Sequence, residues 1–463
     1  MVLRLTDGAA LRAAREIAAR LRAAGHQAYF AGGCVRDLLL GAAAKDFDVA
    51  TSAIPDEIVP LFPRTLQVGA HFGVILVVSD VDGERVETEV ATFRHDGAYL
   101  DGRRPDAVRF TQNPREDVLR RDFTINGMLL DPALIVDGPQ VDESAVLDFV
   151  GGRDDLAAKV VRTIGAAELR FSEDKLRMLR GVRFAARLGF AIEAHTLAAM
   201  RHHAAEIAQV SAERVRDELT RMLTEGHARR AFELLDESGL LREVLPEIVK
   251  LHGVAQPPEY HPEGDVWVHT MMLLEHLQPG ASPTLAWGML LHDVGKPATF
   301  QPPNPQKPGD RIRFNGHVEV GVRVAEEILR RLRFSGDDCA QILALVKHHM
   351  QFGDVKAMKQ STLKRFLRLP KFEEHLALHR ADCLSAHCDL RLYEFAKDAY
   401  ETTEPEVVRP KLFVTGADLI AAGYRPGPAF KKMIEAAEDA QLEGRIASTE
   451  AGLELVKREF GGM

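Results

Sequence analysis

The chain contains no apolar run long enough to cross a bilayer, and its 463 residues include only four cysteines. A membrane helix needs about 20 consecutive apolar residues, so an integral membrane role is not expected. The cysteines are scattered without a Cys-x-x-Cys pair, which points to reduced thiols and a cytoplasmic protein. No signal peptide is expected, because Met1–Asp7 leads straight into an amphipathic pattern, Leu11–Ala24, stopped by Gly25. Internal repeats, low-complexity tracts and a basic tail are also missing. The net charge is −9, which argues against a protein that coats long nucleic acid.

What remains is ordinary globular composition, 46% hydrophobic and 27% charged, in a chain long enough for several cores. Residues 1–150 read as mixed α/β. Val74–Ser79 and Arg85–Thr92 flank Asp80-Val81-Asp82-Gly83, a hairpin signal. Residues 151–245 read as helical, with Arg-rich faces. Between Arg153 and Arg230, 15 Lys and Arg face 11 Asp and Glu, a modest basic segment suited to gripping a defined RNA end. Pro246 and the stretch Gln256–Pro262 mark a boundary before a second helical region, 246–409, which a Pro-rich loop interrupts. A last helical segment covers 410–463.

Residues 32–48 are the most informative. Gly32-Gly33 follows the strand candidate Ala28–Ala31 and precedes a helix beginning near Val35. A glycine pair at such a turn lets backbone N–H groups approach a phosphate, with a helix N-terminus behind them. Asp46-Phe47-Asp48-Val49 then reads as a second strand, with both carboxylates on one face. Two parallel carboxylates repel unless cations neutralise them, which suggests Mg²⁺ and in-line attack on a nucleotide phosphate. Glu87 and Glu89 share a face of the strand Arg85–Thr92, and either could complete a carboxylate triad.

Together these segments resemble the class II (bacterial-type) CCA tRNA nucleotidyltransferase and poly(A) polymerase family. The resemblance covers residues 28–245 and favours Glu89, within Glu89-Val90-Ala91-Thr92-Phe93-Arg94, as the third carboxylate. It implies catalysis by Asp46, Asp48 and Glu89, with Mg²⁺ on Asp46 and Asp48, and nucleotide contacts from Gly33, Arg36 and Arg121. It also makes Asp96–Pro105 a mobile loop. Phe171–Arg183 places Asp174, Arg177, Arg180 and Arg183 at three-residue intervals, one helical stripe. A carboxylate accepts from the amino group of cytosine or adenine while a guanidinium donates to the ring nitrogen, an order that uracil and guanine reverse. The resemblance gives that role to Asp174 and Arg177, with the further arginines on the triphosphate. Poly(A) polymerases of this family usually carry a basic pair after the position of Gly69. Here Gly69-Ala70-His71-Phe72-Gly73 stands instead, which favours a tRNA enzyme.

His269, His292-Asp293 and Asp382 follow in the order of the HD metal-dependent phosphohydrolase domain. Imidazoles with carboxylates suit a transition metal (Mn, Fe, Ni, Co or Zn) better than Ca²⁺. His317 and His348 are the candidate ligands of a second metal. His349, His387, Cys383 and Cys388 read as helix-face neighbours.

The sequence therefore predicts an α+β protein: a small mixed-sheet nucleotidyltransferase head, then mostly α-helical neck, HD and C-terminal domains. The expected activity is template-independent addition of C and A to tRNA 3′ ends from CTP and ATP, with no obligatory protein partner. An A-adding-only enzyme or a poly(A) polymerase remains open. So do an HD phosphohydrolase with a nucleotide-sensing head and a non-catalytic RNA-binding protein.

Overall fold

The computed structural model describes residues 2–4, 8–44, 46–97, 108–134, 140–142, 145–404 and 409–461. The candidate loop Asp96–Pro105 lies outside them from position 98 onward, as does Lys45. The chain divides into two compact units, Met1–Pro246 and Glu247–Met463.

The first unit is built on a seven-stranded sheet. Its strands are β1 (Ala28–Ala31), β2 (Asp48–Thr51), β3 (Thr65–Gly69), β4 (Val74–Val81), β5 (Glu84–Thr92), β6 (Met128–Leu130) and β7 (Val146–Asp148), in the order β7-β6-β1-β2-β5-β4-β3. All neighbours run antiparallel except β2 and β5. Helix α1 (Ala9–Ala23) buries Leu11, Ala14, Ile17, Ala18 and Leu21 on one stripe, and that stripe lies on the sheet. The β4–β5 hairpin is tighter than the sequence suggests. Asp80 and Val81 still pair, with Arg85 and Glu84, and only Asp82 and Gly83 turn. Both have positive φ, 53° and 82°, as a two-residue primed turn requires.

Helix α2 (Gly33–Leu39) opens directly from Gly32, which has φ 77°. After the sheet come the helices α3 (Ala167–Glu173), α4 (Leu176–Leu188) and α5 (Ala212–Thr224).

The second unit contains only helical elements among its described residues, as the α+β class predicts for this part of the chain. Helices α6 (Val266–Glu275), α7 (Pro283–Leu291), α8 (His317–Arg331), α9 (Gly336–His348) and α10 (Phe372–Ser385) pack around buried Trp287, Leu290, Ile328 and Leu345. A C-terminal cluster closes on Val414, Leu419, Met433 and Val456. It is tied to the helix Gln360–Leu367 and its C-cap by Arg365 and Arg368, both 2.6 Å from Glu438. No helix of the described residues is long and apolar enough to cross a membrane.

Candidate functional site

The head carboxylates gather at one end of the sheet. Asp48 is the first residue of β2, and the register Val49↔Val90 sets it beside Glu89 on the parallel strand β5. Asp46 precedes the strand rather than lying on it. Phe47 between them is buried and packs edge-on against Phe30, so Asp46 and Asp48 are both exposed. Asp48 has its carboxyl pushed up to about 6, first by desolvation and then by Glu89, with Asp46 adding to this and Arg121 opposing it. Such a site favours cation binding, because a cation relieves the mutual repulsion.

Arg121 stands at the glycine turn. Its guanidinium is 3.7 Å from where a Cβ on Gly32 would project. It is oriented by Asp117, 2.8 Å away, which also holds Arg120 at 2.6 Å. Two arginines on one buried carboxylate more than offset its desolvation and hold Asp117 below the usual range. Arg36, 2% exposed, turns inward instead, to Asp37 and to Asn126 Oδ1 at 2.6 Å.

The expected stripe of Asp174, Arg177, Arg180 and Arg183 is shorter than the spacing predicts. Asp174 is extended, with φ −144°, between α3 and α4, and α4 starts only at Leu176. The Asp174 carboxylate accepts from Leu176 N–H and is gripped by both Nη atoms of Arg214 on α5, at 3.3 and 2.9 Å. Arg177 donates to Glu173 and to the carbonyls of Arg170 and Arg120. Arg180 pairs with Asp122 at 2.8 Å. Arg183 is committed to carboxylates of α5 and the residue that follows it. It is 5% exposed, and its guanidinium is enclosed by Glu218 at 2.7 Å and Glu225 at 3.2 Å. Arg36, Arg180 and Arg183 all surround the ring of Phe184, 4.5–5.4 Å from its centroid. The sequence reading missed Phe184 and Arg214.

The second unit holds a denser cluster. The Nδ1 of His292 bonds Met289 O, that of His317 bonds Phe314 O, and that of His349 bonds Val346 O. The Nδ1 of His269 bonds Glu263. Every one of these partners is an acceptor once Glu263 is ionised, and its two histidine partners more than offset burial to bring its carboxyl down to about 2. All four Nδ1 atoms therefore carry hydrogen, and a ring in its neutral form presents a lone pair on Nε2; with no cation bound, burial is outweighed by Asp382 and Glu263, which lift the pKa of His269 to about 9. The Nε2 atoms converge on Asp293 and Asp382. His269 Nε2 is 3.1 Å from Asp382 and 3.9 Å from Asp293, and His292 Nε2 is 3.2 Å from Asp293. His317 and His349 stand 3.9 and 3.8 Å from the other Asp293 oxygen. Apart from these two carboxylates, the buried Nε2 atoms of His269 and His292 have no hydrogen-bond partner.

Three triads have their ligand atoms within 4.8 Å: His269/His292/Asp382 and Asp293/His317/His349 at the convergence of the Nε2 atoms, and His261/Glu263/His269 behind them. Buried nitrogen lone pairs without donors, aimed at carboxylates, fit a transition-metal ion. Among the described residues the head carboxylates do not close to that distance. The sequence expectation for His348 is corrected here. His348 ends α9 and faces the buried ring of His375. The chain tightens into a 3₁₀ turn at His349, which swings the next imidazole inward. A cavity of about 950 Å³ opens on this cluster, lined also by His261, Tyr260, Lys296, Arg311 and Phe314. Lys296 Nζ lies 2.7 Å from Asp293, and with His292 it holds that buried carboxyl well below its usual range.

Known proteins resemble this chain in sequence and in fold. Residues 28–162 match the poly A polymerase head domain, 189–251 the probable RNA and SrmB-binding site of polymerase A, and 260–387 the HD domain. A CCA-adding enzyme of Geobacillus thermodenitrificans is 42% identical over 216 residues, 47% of this chain and 50% of that protein. One from Lactobacillus johnsonii is 38% identical over 267 residues, 57% of this chain and 64% of that protein. The chain spans about half the length of the first of these curated relatives. The crystal structure of the Bacillus stearothermophilus CCA-adding enzyme in complex with CTP superposes with a TM-score of 0.72 at 26% identity, covering 98% of this chain and 100% of that one. The Thermotoga maritima CCA-adding enzyme complexed with tRNA shares the fold, with a TM-score of 0.54 at 18% identity and coverage of 98% and 96%. With a poly A polymerase head domain, a probable RNA-binding region and an HD domain in sequence, the chain is similar to CCA-adding enzymes in its matched parts and in its fold.

Proposed function

We propose that the chain is a template-independent RNA nucleotidyltransferase that adds C and A to tRNA 3′ ends from CTP and ATP in the cytoplasm. The observation that carries this reading is the register that sets Asp48 beside Glu89, with Asp46 next to them and the Gly32–Gly33 turn and Arg121 facing the same end of the sheet. The names of the relatives support the substrates. In this reading Asp46 and Asp48 hold Mg²⁺ with Glu89 assisting, which supplies activation of the attacking ribose oxygen and charge stabilisation on the leaving pyrophosphate. Gly32 and Gly33 bring backbone N–H groups to the triphosphate, and Arg121 neutralises it. Asp174, oriented by Arg214, accepts from the amino group of cytosine or adenine, and Arg177 donates to the ring nitrogen. Residues 1–150 form the head, 151–245 the neck, 246–409 the HD part and 410–463 the C-terminal segment.

The test is direct. tRNA ending before the CCA, after its first C, or after CC is incubated with each labelled NTP, and product lengths are read. Full CCA addition supports the proposal, addition of A alone would make it an A-adding enzyme, and no extension would sink it.

A second activity is favoured by the convergent Nε2 atoms of His269, His292, His317 and His349. We propose that they hold a transition metal with Asp293 and Asp382, and that this half is a phosphohydrolase. A cyclic or terminal phosphate trimmed there from damaged RNA would leave the hydroxyl that the head extends.

A further inference from the structure

Glu263 sits in a Pro- and Gly-containing stretch, His261-Pro262-Glu263-Gly264. Its side chain is 4% exposed, and a single oxygen, Oε1, accepts from two imidazoles: Nδ1 of His261 at 2.9 Å and Nδ1 of His269 at 2.7 Å. The other three inward-facing histidines use backbone carbonyls for this purpose. His269 is thus the one of the four whose outer nitrogen meets a formal charge. A carboxylate behind an imidazole fixes its tautomer, restrains the ring and makes the opposite nitrogen a stronger donor to a cation. The ring of His261 stands edge-on to that of His269, with centroids 4.9 Å apart, and lines the cavity. One buried carboxylate therefore restrains both a wall of the cavity and the first histidine of the cluster.

We propose that Glu263 is a positioning residue of the HD site, setting its affinity for metal by holding His269 with Nε2 turned inward. The proposal rests on the reading of this cluster as a metal site. The experiment is a chelator competition titration of Co²⁺ into the full-length, metal-stripped chain, with the Co²⁺ absorption spectrum recorded and the melting temperature of the stripped protein measured alongside. Glu263→Gln keeps the shape and an acceptor oxygen but removes the charge. It should weaken Co²⁺ binding about 10- to 100-fold and alter the spectrum. Glu263→Asp, which keeps the charge on a shorter arm, should fall between it and the wild type. Binding by Glu263→Gln within about threefold of the wild type would overturn the proposal. So would equal losses in both variants accompanied by equal drops in melting temperature, since those mark a purely structural role. A wild-type chain that takes up no Co²⁺ would instead remove the metal site itself, and the inference with it.

Discussion

The Nε2 atoms of His317 and His349 lie 3.4 Å apart, although each ring already commits its Nδ1 hydrogen to a backbone carbonyl. Two nitrogen lone pairs at that distance repel unless a cation or a proton sits between them. Replacing His292 and Asp293 together by Ala should therefore remove a transition metal detectable by elemental analysis, along with any phosphatase or phosphodiesterase activity. Addition to tRNA should persist at close to the wild-type rate, because Asp46, Asp48 and Glu89 belong to the other unit. Equal metal content in wild type and variant would refute the assignment.

At the head, Asp48→Asn should lower nucleotide addition by about 10³-fold or more, since it removes an anionic ligand where charge develops. Because desolvation and Glu89 push the Asp48 carboxyl up to about 6, the folded chain carries its ionised form near neutrality at a cost that the unfolded chain does not bear. The metal-free variant should accordingly be slightly more stable than wild type at pH 7, by under about 1 kcal/mol for so exposed a group. In the wild type, activity should fall as pH drops through about 6. That acid limb should move lower as Mg²⁺ is raised, because the cation favours the ionised carboxylate. A limb insensitive to Mg²⁺ would place the titrating group elsewhere.

Arg183 is expected to matter for stability rather than for the triphosphate. Arg183→Ala leaves the Glu218 carboxylate, 6% exposed, without its partner at 2.7 Å. Breaking a buried pair from one side costs about 3–5 kcal/mol. Denaturant unfolding should show that loss, and a second change, Glu218→Gln, should recover part of it. Unchanged stability with a raised KM for CTP would restore the triphosphate role expected from the sequence.

His375 supplies an acid-sensitive element of the second unit. Its ring is fully buried without a hydrogen-bond partner, and burial, helped by His348, brings its pKa down to about 4. Between pH 6.5 and 4 the unfolded chain takes up a proton that the folded chain refuses. Its contribution to stability is thus complete above pH 6.5 and is lost as pH falls toward 4, by about 3 kcal/mol in all. His375→Leu should flatten the fall in melting temperature across that window, and an unaltered pH profile would contradict this.

Local patterns carried most of what could be read in advance. The glycine turn, the alternation around Phe47, the β4–β5 hairpin and the ordered histidines are all set by neighbours in sequence. Two of the misplacements share a cause, a change of backbone geometry inside an apparently regular run, whereas Arg36 and Arg183 lie on regular helices and are claimed by distant partners. Asp174 is extended at a helix break, so three-residue spacing misassigns its face. His348 and His349 straddle the passage from α-helix to 3₁₀ turn, which exchanges the one facing His375 for the one facing Asp293. Glu263 and Arg214 act on residues that the fold brings near them, and nothing in their own surroundings announces it. Phe184 looks like any core aromatic until three guanidinium groups are seen around its ring.

The lone parallel junction of the sheet, β2 against β5, also governs when the head can first exist. Its two carboxylates, Asp48 and Glu89, lie on strands that no hairpin joins, and the whole of β3 and β4 must return across the sheet before they meet. Loop closure over such a separation is slow and precedes any reward from the contacts it makes. In a nascent chain, Asp48 and Glu89 therefore stand side by side only once β5 has emerged and paired with β2. A fragment that ends at the turn of the β4–β5 hairpin lacks Glu89 and cannot form that pair.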